Sequence, residues 1–259
     1  MNKGTIWLVG LALAALALSA CAPRELSDYD QWDLVFISDS SGWGVANAYA
    51  QFIEEDTGIP VVVHDLAIGG LSAGRVLIAL RGESRHARLS ELPELLREAE
   101  VVVLEANPMD SISEDHPGDW NCVDFGWLYV NACGSETFDA YRADLETIYD
   151  AIFALRGNKP VIVRARDLYN FPTRWEEEGV GEACATCWAN FLQAIYEVAA
   201  EYNVPVARVF DTYNGPNHDE DPEAKGLTLR HDVHPSPEGV TAQAQILREL
   251  GYEPTTPSR

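Results

Sequence analysis

Basic residues are scarce in this sequence: 18 lysines and arginines stand against 41 aspartates and glutamates, a formal net charge of -23 over 259 residues. A surface this acidic repels phosphate backbones and anionic headgroups alike, which excludes nucleic acid as a partner and gives no electrostatic route to a membrane. No glycine-rich loop of the kind that cradles phosphates is present, which argues against a nucleotide binder. Internal repeats and Pro- or Ser-rich linkers are also missing. With 47% hydrophobic residues, the chain therefore reads as one α/β domain able to bury a large core. Only one Cys-x-x-Cys occurs, Cys184-Ala185-Thr186-Cys187. A zinc site would need two further ligands at a recognisable spacing, so neither a metal nor a cofactor is implied.

The longest uncharged apolar stretch lies near the N-terminus, where Lys3 precedes Ile6 to Ala17 and then Leu18-Ser19-Ala20-Cys21. It is short for a stable membrane span and ends in small residues, the pattern of a cleaved export signal. Leu-Ser-Ala-Cys resembles a bacterial lipobox, which implies lipidation of Cys21 and an exported, membrane-anchored protein of the cell envelope. The expected division is a signal peptide over 1–20, lipidated Cys21 and a tether over 21–30, and a folded domain over 31–259. Losing residues 1–20 removes only Lys3 and takes the charge to -24. Outside the cytoplasm the four remaining cysteines form disulfides. Pairing of Cys122 with Cys133 and of Cys184 with Cys187 is favoured. Three pairings are open, and the Cys-x-x-Cys is also compatible with redox chemistry.

Five short apolar runs, Leu34 to Ile37, Pro60 to His64, Val101 to Leu104, Pro160 to Val163 and Val204 to Phe210, are rich in β-branched residues and nearly uninterrupted. Such runs fit strands buried on both faces. Helical spacing fills the intervals at Val45 to Glu54, Ala73 to Leu80, Leu92 to Ala99, Phe138 to Leu155, Trp188 to Tyr202 and Pro237 to Leu250. The alternation predicts a flavodoxin-like three-layer α/β/α fold around a five-stranded parallel sheet, with its site at the carboxyl ends of the strands. Long loops are expected over Met109 to Glu136 and Asp167 to Ala183, either as binding walls or as surface decoration.

Small polar residues follow three successive strands: Ser38-Asp39-Ser40-Ser41-Gly42, Gly69-Gly70, and Glu105-Ala106-Asn107. Near the C-terminus stands Asp232-Val233-His234-Pro235. Each block alone has a structural explanation, as helix cap, turn or loop. Together and in this order they resemble the four blocks of the SGNH/GDSL hydrolases. The resemblance implies an SGNH hydrolase fold, Ser40 as nucleophile and His234 as its base. It also implies an oxyanion hole from the Ser40 and Gly70 backbone N–H groups and the Asn107 amide, with Gly69 as the neighbouring choice for the glycine. A serine hydroxyl needs such a base, and the charge developing on an ester carbonyl needs preorganised donors.

Three positions depart from that pattern. His231 stands where the family's acid usually lies, so the third triad member is either Asp232 or a backbone carbonyl orienting His234. Ser38 and Glu105 stand where the family commonly has glycine. Neighbouring strands would place them side by side, with the Ser38 hydroxyl donating to the Glu105 carboxylate; an ionised Glu105 left unheld would oppose the oxyanion. The expected activity is hydrolysis of a carboxylic ester, whether a small-molecule, glycan or lipid ester. Trp43 is the aromatic residue expected at the substrate, whereas Trp120, Trp127, Trp175 and Trp188 fit aromatic walls and packed core equally. The alternative reading is a non-catalytic surface ligand-binding protein on the same fold.

Overall fold

A computed structural model describes residues 25–108, 122 and 135–258, the side chains of 135–137 excepted. Five strands form one all-parallel sheet in the order β2-β1-β3-β4-β5. They are β1 (Trp32–Ser38), β2 (Val61–Ala67), β3 (Val101–Leu104), β4 (Ile162–Arg166) and β5 (Val206–Ala207). Helices cover both faces, giving the three-layer α/β/α arrangement expected from the alternation. Apolar runs without polar alternation arise because both sides of a central strand are covered. Val35 and Ile37 of β1 enter one core, while Leu34 and Phe36 enter the other. The second core is closed by helix α1 (Val45–Thr57) and by the last helix, α8 (Pro237–Glu249).

On the first face lie α2 (Ala73–Leu80), α3 (Leu92–Glu98), α4 (Ser135–Arg156) and α6 (Gly181–Glu201). Two short helices, α5 (Pro172–Glu177) and α7 (Val209–Asn214), follow β4 and β5. The expected loop over Asp167 to Ala183 thus contains a helix and the first turn of the next. The run Val204 to Phe210 yields only two strand residues, because Val209 already begins α7 and the Asp167 carboxylate accepts from the Phe210 N–H at 2.9 Å. The packed region reaches upstream of residue 31. Leu26 is buried, and its carbonyl accepts from the Trp32 indole N–H at 3.2 Å.

The cysteine pairing differs from the favoured one: Cys184 is bonded to Cys122 rather than Cys187. Cys187 is disulfide-bonded as well. Both lie buried in the first turns of α6, three residues apart on one helical face. Ideal helix geometry holds such Cβ atoms about 5–6 Å apart, wider than the roughly 4 Å usual across a disulfide, which disfavours a bond between the two. The lipobox with Cys21, and Cys133, Trp120 and Trp127 with most of the segment from Met109 to Glu136, lie outside the described residues. Among the described residues no helix is long and apolar enough to cross a membrane.

Candidate active site

The strand order reverses between β1 and β3, and ligands of open α/β sheets gather at the carboxyl ends beside such a reversal. Ser38 ends β1, and its carbonyl accepts from the Ile68 N–H at 2.9 Å; the Glu105 N–H returns to the Ile37 carbonyl at 2.9 Å. The chain then turns through the 3-10 segment Ser40–Gly42. Its cap is Asp39, whose carboxylate accepts from the Ser41 N–H at 2.8 Å. The Ser40 hydroxyl is thereby spared the capping role, and among the described residues neither it nor the Ser40 N–H has a hydrogen-bond partner. Gly42 is required by close approach: a Cβ there would stand 2.3 Å from the Ser38 Oγ. The extra side chain at position 38 is accommodated by the missing one at position 42.

The glycine loop after β2 lies alongside. Gly70 takes φ +62, a left-handed conformation open to glycine, and its carbonyl accepts from the Arg75 guanidinium at 3.2 Å. Its N–H has no partner among the described residues. Asn107 is fully buried and zipped to the same loop, its N–H donating to the Leu71 carbonyl at 3.1 Å and its carbonyl accepting from Ala73 at 2.9 Å. Three expected oxyanion-hole positions therefore sit on adjoining strand ends.

His234 arrives on a tight reversal. The Leu229 N–H donates to the His234 carbonyl at 2.9 Å, the Asp232 N–H to the Leu229 carbonyl at 3.1 Å, and His231 at the tip adopts φ +57. Asp232 accepts from the His234 backbone N–H at 3.2 Å, and its Oδ1 lies 2.6 Å from the ring Nδ1. Burial opposes ionisation of Asp232, but the contacts from His234 together outweigh it and hold the carboxyl below its usual range. His231 points to Glu223, 3.8 Å away, and is exposed. Trp43 lies flat on the His234 ring and reaches the backbone of Gly69, where an added Cβ would stand 3.9 Å from it. Trp43 is 47% exposed, whereas Trp175 and Trp188 are core residues. A cleft of about 500 Å³ borders the His loop; Phe171, Arg174, Glu177 and His231 line it, and Ser40 does not.

Ser38 and Glu105 meet as expected, the hydroxyl donating to Oε2 at 2.8 Å. The residue that sequence reasoning missed is Arg166, fully buried at the end of β4 and 3.2 Å from the same carboxylate oxygen. Its signal was two arginines, Arg164 and Arg166, interrupting an apolar strand of an acidic chain. Burial pushes the Glu105 carboxyl up to about 8, reinforced by Asp39 and opposed by Arg166 and by hydrogen bonds from the Asp39 N–H and the Ser38 hydroxyl. A buried carboxylate without such donors would be far costlier. Among the described residues no group of three or more His, Cys, Asp or Glu is placed to hold a metal.

No family model matches the chain, and no curated protein is similar to it in sequence. Solved structures are similar in fold. A lipase from a goat rumen metagenome superposes with a TM-score of 0.60 at 18% identity, covering 86% of this chain and 99% of that one. An acetyl xylan esterase from Geobacillus stearothermophilus gives 0.53 at 16% identity over 86% and 95%. A putative GDSL-like lipase from Parabacteroides merdae gives 0.55 at 11% identity over 88% and 98%. The chain has the three-layer α/β/α fold of these hydrolases.

Proposed function

We propose that this protein, built on a fold it shares with lipases and esterases, is a serine esterase of the SGNH/GDSL type. The observation that carries the reading is the 2.6 Å contact between Asp232 and the Nδ1 of His234. It fixes the ring tautomer so that Nε2 is the basic nitrogen, as an orienting carboxylate does in a catalytic triad. Ser40 attacks the ester carbonyl and gives its proton to His234. The oxyanion is received by the N–H groups of Ser40 and Gly70 and by the Asn107 amide. The alcohol leaves with the proton from His234, and water attacks the acyl-enzyme by the same route in reverse. Glu105 does not oppose the oxyanion as a free charge, because three donors converge on one of its oxygens.

The substrate is a carboxylic ester presented against Trp43, whose exposed indole forms one wall beside the base. Export and anchoring through Cys21 are part of the proposal. They are supported by the N-terminal pattern and by disulfide-bonded Cys122, Cys184 and Cys187, since such bonds persist in oxidising compartments.

The test is labelling of the domain from Ala22 onward by a fluorophosphonate, with Ser40→Ala and His234→Ala alongside. Labelling of the wild type that disappears in Ser40→Ala is expected, and a panel from acetyl-xylan to long-chain esters then ranks substrates. A folded wild type that takes no label overturns the esterase reading in favour of a ligand-binding protein.

A further inference from the structure

We propose that Arg166, paired with Glu105, is a positioning residue that clamps the turn presenting Ser40; the proposal rests on the reading of Ser40 as nucleophile. Every residue flanking Ser40 is held by this pair and Ser40 itself is not. One Arg166 nitrogen shares its two hydrogens among three acceptors, the Ser38 hydroxyl at 2.5 Å, the Ser41 hydroxyl at 2.8 Å and Glu105 at 3.2 Å. The other donates to the Ser41 carbonyl at 3.4 Å and to the Gln243 side chain. Glu105 accepts in turn from the Asp39 N–H and the Ser38 hydroxyl, both at 2.8 Å. Gln243 of α8 closes the ring, donating to the Ser41 carbonyl at 3.1 Å and to the Tyr213 hydroxyl at 2.9 Å.

A guanidinium suits the task because its rigid fork reaches several acceptors at once, which one ammonium cannot. With Ser38, Arg166 and Glu105 all fully or nearly fully buried, these bonds are shielded from competing water. The clamp leaves the Ser40 hydroxyl and N–H unengaged and fixes them relative to each other, which the reaction demands: nucleophile and oxyanion donor come from the same residue. A displacement of about 1 Å at such a centre costs on the order of a hundredfold in rate.

The experiment measures fluorophosphonate labelling rate, kcat and KM on the best ester, and amide hydrogen exchange across residues 38–43, in Arg166→Gln, Arg166→Lys, Glu105→Ala and Glu105→Gln. In Glu105→Gln the amide oxygen can replace the accepting carboxylate oxygen, and the NH2 the other oxygen, which has no partner among the described residues. Arg166→Gln and Glu105→Ala should slow labelling by on the order of a hundredfold, lowering kcat with KM unchanged and speeding exchange across 38–43. Arg166→Lys should not rescue, whereas Glu105→Gln should recover most of what Glu105→Ala loses. If Arg166→Gln fails to fold, the Glu105 pair decides. Folded variants with wild-type labelling and exchange, or with raised KM alone, overturn the clamp. A wild type that takes no label defeats the esterase reading instead, and exchange across 38–43 still decides whether the clamp exists.

Discussion

The indole of Trp43 lies parallel to the imidazole of His234, with ring centroids 4.5 Å apart and planes 8° from each other. Trp43 is three residues beyond Ser40, so this contact ties the turn bearing Ser40, the proposed nucleophile, to the loop bearing His234, its proposed base. The stack holds the ring through its face while Asp232 holds it through its edge.

Trp43→Ala should therefore reduce kcat/KM about fivefold, in line with the roughly 1 kcal/mol of an aromatic pair. Stability should hardly change, because half of the indole is solvent-exposed. Steady-state kinetics beside a melting curve separates the two effects; loss of stability without loss of rate would make Trp43 a packing residue only.

Asp232→Asn should lower kcat on the order of a hundredfold or more while leaving KM near the wild-type value. The amide can present an N–H to Nδ1 and select the wrong tautomer. An unchanged kcat would mean that the protein works as a Ser-His dyad with another group orienting the ring.

Asp167 is fully buried, accepting from the Tyr196 hydroxyl at 2.5 Å and the Phe210 N–H at 2.9 Å, with Arg208 3.6 Å away. Burial pushes its carboxyl up to about 6 despite these partners. The folded protein then keeps this proton between about pH 4 and 6 while the unfolded chain releases it. Stability falls as pH rises through that window, by an amount of order 3 kcal/mol. Asp167→Asn, which cannot ionise, should remove this decline. Urea unfolding of both proteins at pH 4, 5 and 7 checks it, and identical pH slopes would contradict the assignment.

The bond between Cys122 and Cys184 closes a loop with a sequence separation of 62. Replacing both cysteines by serine should lower stability by about 4 kcal/mol on the chain-entropy estimate. A non-reducing peptide map should recover residues 122 and 184 in one linked species, and a species linking 184 to 187 would refute the pairing.

Much of the fold was legible because both faces of a central strand are covered, which leaves unbroken apolar runs such as Val101 to Leu104. The helix over Ala73–Leu80 matched its expected bounds, since Ser72 caps it with its own side chain, accepting from the Arg75 N–H. Where reading failed, local pattern was overruled by distant contacts. Val209 and Phe210 are β-formers by type, yet the Asp167 carboxylate receives the Phe210 N–H and the chain enters a helix there. Arg164 and Arg166 cut the fourth run short in the sequence because an unpaired charge does not belong in a core. Arg164 is admitted because the carbonyls of Gly251 and Glu253 accept from it at 2.9 and 3.1 Å.

The sequence by itself determined the parallel sheet, the order of the four motif blocks and the placement of three of them after strands, because hydrophobic period and short-range motifs are properties of neighbouring residues. Only the tertiary structure decided that Asp232 reaches His234, that Cys184 bonds Cys122, and that Arg166 stands beneath the Ser40 turn. The first depends on a left-handed residue at His231, which composition does not announce. The others join residues 62 and 125 or more positions apart, whose meeting is fixed by strand order and helix facing rather than by spacing along the chain.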